Sequence, residues 1–152
     1  MEQIGFLGAY DKKDLLINVA TVLTNAGKSV LIVDATSVQR MRYVVPNIST
    51  NQSFSYVSEY SKIDVALGFM TLNDIAQYLK RNLNYDYILI DSDNPQTMNS
   101  FGIQGMKKIF FVTSYEQYDM LKGAELLRFV QMPIEVVKVI STTNMNDAKI
   151  NY

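Results

Sequence analysis

The chain has 152 residues, a net charge of −1, 48% apolar residues, and neither cysteine nor histidine. That length suits one domain with a real core, and the near-neutral balance gives no support to a nonspecific nucleic-acid or acidic-membrane surface. Without cysteine and histidine there are no disulfides, thiolate nucleophiles, cysteine metal sites or imidazole bases, so any chemistry falls to carboxylates, lysines, hydroxyls and the backbone.

No apolar run approaches the roughly 20 residues of a membrane span. The start, M-E-Q-I-G-F, lacks the basic flank and apolar stretch of a signal peptide, so a cytoplasmic protein is expected.

Ile4 to Leu7 is a short apolar run ended by Gly8, and Leu15, Leu16, Val19, Ala20, Val22, Leu23 and Ala26 recur at helical spacing until Gly27. Val30 to Val33 then forms a continuous aliphatic run ending in Asp34, as a strand buried on both faces would. This strand, turn, helix and strand form a βαβ crossover whose first turn aims backbone N–H groups above the sheet. The stretch from Ala35 to Asn47 reads as a loop with a short helical turn, and Phe54 to Tyr60 as a weak strand.

Thr71 opens a helix with Asp74 as capping partner and Leu72, Ile75, Ala76 and Leu79 as its apolar stripe, ending near Asn82 to Asn84. Tyr85 to Ile90 is a strand running into the acidic turn Asp91-Ser92-Asp93-Asn94-Pro95. A short helix or loop spans Met98 to Gly105, and Ile109 to Val112 is a third apolar strand. A helix follows on Tyr118, Leu121, Leu126, Phe129 and Val130, with its apolar face broken at Gly123 and its end at Pro133. Ile134 to Ile140 is the last strand. The alternation predicts a doubly wound, mainly parallel α/β sheet with helices on both faces, formed by one domain over residues 1–152. Ligands of such sheets sit beyond the carboxyl ends of the strands, where Gly8 to Asp14, Asp34 to Arg40, Asp91 to Gln96 and Thr113 to Glu116 should gather.

The order and spacing of A-G-K-S-V-L-I-V-D (Ala26 to Asp34), N-Y-D-Y-I-L-I-D-S (Asn84 to Ser92) and I-F-F-V-T-S-Y-E-Q-Y-D-M-L-K-G-A-E-L-L (Ile109 to Leu127) resemble the ParA and MinD family of P-loop NTPases. The resemblance implies a nucleotide site at Gly8, Lys12, Lys13, Asp34 and Asp91. Lys12 takes the place of the Walker lysine and Asp91 that of the Walker B carboxylate. It also implies departures: Leu7 replaces the signature lysine, Asp11 a glycine, Lys13 the Mg²⁺-binding hydroxyl, and Thr36 the switch I aspartate.

Small residues let N–H groups close on phosphate oxygens. Here Tyr10 and Asp11 crowd that turn, and a like-charge pair at about 4 Å costs roughly 4 kcal/mol at an effective dielectric of 20. A structural reading also exists, in which Asp11 is the N-cap of the first helix and Asp14 its third helical residue. Asp91 and Asp93 could serve Mg²⁺ or form a turn, and Asp34 could cap the turn after its strand. The expectation is a ParA/MinD-type interaction or positioning module for a partition, division, pilus or secretion assembly. It would act as a homodimer or within a larger assembly, with no catalytic residue, no metal, no cofactor and no direct nucleic-acid contact. The alternatives are an active ATPase using ATP and Mg²⁺ through an unusual loop, with Asp91 at the metal, and a receiver-like signalling domain built on V-L-I-V-D-A-T and Y-D-Y-I-L-I-D-S-D-N-P. The chain is short for the resembled family, as a minimal member or as the N-terminal part of a longer protein would be.

Overall fold

The computed structural model describes residues 1–46, 54–128 and 136–141. Among these residues seven strands form one sheet: β1 (Glu2–Leu7), β2 (Val30–Asp34), β3 (Tyr56–Tyr60), β4 (Ile63–Leu67), β5 (Tyr87–Ser92), β6 (Met106–Ser114) and β7 (Val136–Ser141). Their order is β3-β4-β2-β5-β1-β6-β7, and every neighbouring pair is parallel except the antiparallel hairpin β3-β4. Among the described residues four helices accompany them: α1 (Lys13–Asn25), α2 (Leu72–Leu79), α3 (Pro95–Ser100) and α4 (Gln117–Leu127).

The central strands are apolar along their whole length because both faces are covered. On one face Leu16 and Ala20 of α1 pack against Phe6, Ile32, Leu89 and Val112, together with Met41 from a 3₁₀ turn, Arg40–Tyr43. On the other, Ile75 of α2 and Met98 of α3 pack against Leu7, Leu31, Val33, Ile88, Ile90 and Ile109. Side chains alternate along a strand, so Asp34 lies on the side of Ile32 and Asp91 on that of Leu89, both under α1. The two aspartates are also register partners on adjacent strands.

Helix α1 ends in a full Schellman motif. Gly27 has φ +83°, its N–H reaches the Thr24 carbonyl, and the Lys28 N–H reaches that of Leu23. Thr71 caps α2 by accepting from the Asp74 N–H at 3.1 Å. That helix stops at Leu79, where Lys80 turns left-handed, and so does not reach Asn82 to Asn84.

Three further expectations need correction. Strand β4 lies outside the elements expected from the sequence, although I-D-V-A-L is a nearly continuous buried run beside β2. In α4 the buried residues include Gly123 and Leu126, a Cβ at Gly123 would meet the Phe111 ring at 2.4 Å, and Tyr118 and Leu121 point outward. The glycine thus belongs to the inward face and does not interrupt it, while Phe129 and Val130 lie outside the described residues. Finally, the receiver-like reading takes V-L-I-V-D-A-T (β2), Y-D-Y-I-L-I-D-S (β5) and I-F-F-V-T-S (β6) as its first, third and fourth strands, and an order of 2-1-3-4-5 requires the last two as neighbours, whereas β1 separates β5 from β6. The receiver-like reading therefore does not fit this sheet.

Candidate functional site

The turn between β1 and α1 begins at Gly8, whose N–H donates to the Ser92 carbonyl at 3.1 Å. Gly8 has φ +150°, and a Cβ there would stand 2.1 Å from the Val112 carbonyl oxygen. The chain passes too close to β6 for any side chain, so glycine is required. Tyr10 is half-buried against the cluster that holds Phe6 and Leu16.

Asp11 is not the N-cap of α1. That position belongs to Lys12, which makes no side-chain cap bond, while Asp11 Oδ1 accepts from the Lys13 N–H at 3.0 Å. The carboxylate thus closes an Asx turn one residue before the helix, and Asp14 stands at the second helical position. Asp11 also faces Arg40 across an exposed ion pair of 3.6 Å, which a solvated, entropically costly contact makes weak.

Lys12 is the centre of the site. It is only 2% exposed and among the largest fully buried side chains. Its Nζ donates to the carbonyls of Gly8 and Tyr10, the latter at 3.1 Å, and lies 3.1 Å from Asp91 Oδ1. Burial pushes the Asp91 carboxyl up to about 7; the Lys12 charge opposes that rise and the Asp34 charge adds to it.

Asp34 is buried and its oxygens are committed. Oδ1 accepts from the Thr36 N–H at 3.1 Å and the Thr36 hydroxyl at 2.6 Å, and Oδ2 from the Met41 N–H at 3.0 Å. Its work is to order the loop after β2 and start the 3₁₀ turn. Asp93 accepts from the Ser37 hydroxyl at 2.6 Å and from its N–H, tying that loop to the end of β5. The rest of the acidic turn follows local chemistry: Asn94 caps α3 through the Gln96 N–H at 2.8 Å, with Pro95 as the first helical residue.

Gly8, Lys12, Lys13, Asp34 and Asp91 all line one cavity of about 40 Å³, with Asp11, Thr36, Arg40 and Asp93 at its walls. With Lys12 folded inward that is room for about three waters. A larger groove of about 640 Å³ adjoins it, sharing Ala9, Val38, Arg40 and Asp93 and reaching across α3 to Tyr118, Lys122 and Leu126 of α4. Residues Thr113 to Glu116 line neither. The Asp93 to Ser37 tie and the Arg40 to Asp11 pair join residues far apart in sequence, and no local pattern marks them. The Tyr10 carbonyl is a backbone group and carries no sequence signal.

The lysine that would meet phosphate is turned onto oxygens of its own turn, two turn amides are already bonded to Ser92 and Asp11, and Lys13 brings an ammonium to the position of a metal-binding hydroxyl.

No protein-family model and no curated sequence matches the chain. Its fold is that of solved ParA/MinD-type P-loop proteins. The MinC:MinD cell division protein complex of Aquifex aeolicus aligns with a TM-score of 0.68 and 15% identity, over 98% of this chain and 72% of that one. A plasmid partition protein of Borrelia burgdorferi B31 bound to AMPPNP gives 0.68 and 14%, over 94% and 76%. A ParA family ATPase of Chlorobium tepidum gives 0.61 and 15%, over 95% and 76%. Among the described residues no helix is long and apolar enough to cross a membrane.

Proposed function

From a ParA/MinD-type P-loop fold whose phosphate turn is filled by its own lysine, we propose that this chain is an interaction or positioning module that neither binds nor hydrolyses ATP. The observation that carries the reading is the Lys12 ammonium, buried between two carbonyls of its own turn and the Asp91 carboxylate. A triphosphate would have to displace Lys12 and leave Asp91 buried without its cation. It would then sit beside Asp11, at roughly 4 kcal/mol for each like-charge pair at about 4 Å, without the hydroxyl that holds a compensating metal.

The interaction role draws on two supports. The fold neighbours include a cell division complex and plasmid partition proteins. In addition, the carboxyl edge of the sheet exposes Val38 and Tyr118 around the larger groove, where apolar and aromatic side chains suit a protein partner. In this reading the chain works in the cytoplasm as a homodimer or within a larger assembly of partition, division, pilus or secretion type.

Two measurements test it together. Phosphate release from Mg²⁺-ATP should stay at the buffer level for the wild type and for Lys12→Ala alike, and the mass by light scattering should not change with nucleotide. Release that Lys12→Ala abolishes would establish the rival, an active ATPase with an unusual loop.

A further inference from the structure

We propose that the Gly8 to Lys12 turn is a cage for a primary ammonium ion, filled by Lys12 itself, and not a cradle for anions. The proposal rests on the closed turn described above and names the ligand chemistry that turn accepts. The three groups around Nζ are all oxygens: the Gly8 carbonyl, the Tyr10 carbonyl at 3.1 Å and Asp91 Oδ1 at 3.1 Å. An ammonium has N–H donors for the two carbonyls, a positive charge for the carboxylate and no acceptor, whereas an anion placed there would be repelled by all three oxygens.

The cage is built rather than incidental. Asp91 is 4% exposed, and its Oδ1 has no hydrogen-bonded donor, so the Lys12 charge alone compensates it. Such an oxygen is costly unless a cation stands beside it. The Gly8 carbonyl is held in place by the close passage of its backbone against Val112 and by its N–H bond to Ser92. The neighbouring carboxylates do not compete for the ammonium, since Asp34 serves Thr36 and Met41 and Asp93 serves Ser37. Two turn amides that could have faced an anion are bonded elsewhere, Gly8 N–H to Ser92 and Lys13 N–H to Asp11.

Truncating Lys12 to alanine removes three methylenes and the ammonium, the atoms that n-propylammonium would restore. Thermal unfolding of Lys12→Ala should therefore be followed in n-propylammonium chloride, in tetramethylammonium chloride, and in sodium pyrophosphate, at matched ionic strength. The variant should melt below the wild type. Propylammonium should raise its midpoint by about 3 °C or more, the shift expected at roughly ten times the dissociation constant, while the wild type stays unmoved. Tetramethylammonium, which has no N–H, should do nothing. A variant indifferent to propylammonium, or stabilised by pyrophosphate instead, would overturn the cage.

Should the variant not fold, amine acylation of the wild type decides the matter. Lys12 should react at least about ten-fold more slowly than Lys13 by peptide mass spectrometry, and equal rates would overturn the proposal. Nucleotide binding by the wild type that Lys12→Ala leaves intact would remove the non-nucleotide reading without engaging this turn, and propylammonium rescue could still hold; the two can therefore fail separately.

Discussion

Asp91 stands near the end of the buried strand β5 and Lys12 holds the N-cap position of helix α1 on the face above it, so the contact between them sets the character of the site. Burial raises the Asp91 carboxyl from the ordinary carboxylate range to about 7. Between roughly pH 4 and 7 the folded chain then holds a proton that the unfolded chain has released, and stability falls as pH rises through that window, by up to about 1.4 kcal/mol per pH unit. The contribution is fully present below about pH 4 and lost above about pH 7. Asp91→Asn cannot titrate, so its stability in urea should depend less steeply on pH. The cost of the substitution should accordingly shrink between about pH 5 and 7, and parallel slopes would show that Asp91 does not titrate there. At Gly8 the expectation is steric. Gly8→Ala places a Cβ 2.1 Å from the Val112 oxygen at φ +150° and should cost about 3 kcal/mol or more in urea denaturation. The position of Lys12 is legible by counting back from Gly27, because helix α1 carries no insertion. The direction of its side chain is not, since a lysine at that position can face a phosphate or fold inward, and only the placement of Asp91 beneath it decides.

At the scale of elements, strong local signals carry through to the structure, and the weakly marked strand β3 is present as well. Gly27 and Thr71 mark helix ends by chemistry that acts within a few residues, and both caps are present. The β3-β4 hairpin is different. Its register pairs Tyr60 with Ile63, leaving the two-residue loop Ser61-Lys62, with φ of +47° and +69°. Such a loop normally advertises itself with Asn-Gly, and a serine followed by a lysine does not. Strand β4 is hard to see in the sequence for that reason, and the order of the sheet cannot be derived without it. The double substitution Ser61→Asn with Lys62→Gly should stabilise the protein by about 1 kcal/mol, because asparagine and glycine adopt positive φ at little cost. An unchanged or lower urea midpoint would show that the native pair makes compensating contacts. Helix α4 shows the opposite: its glycine looks like a break in the apolar stripe and is in fact where the helix closes onto Phe111.

Across the whole molecule, the alternation of apolar strands and amphipathic helices is enough to imply a doubly wound sheet, because that pattern can bury its apolar surface in few other ways. What the pattern leaves open is the chemistry at the carboxyl edge, where ties such as Ser37 to Asp93 and Arg40 to Asp11 join distant segments. In the function proposed above, those ties, with Lys12 turned inward, close this edge to nucleotide. Calorimetric titration of the wild-type protein with Mg²⁺-ATP tests that closure most directly. The closed turn predicts no binding heat up to about millimolar nucleotide, weaker than roughly −4 kcal/mol. Micromolar binding that Lys12→Ala abolishes would contradict it.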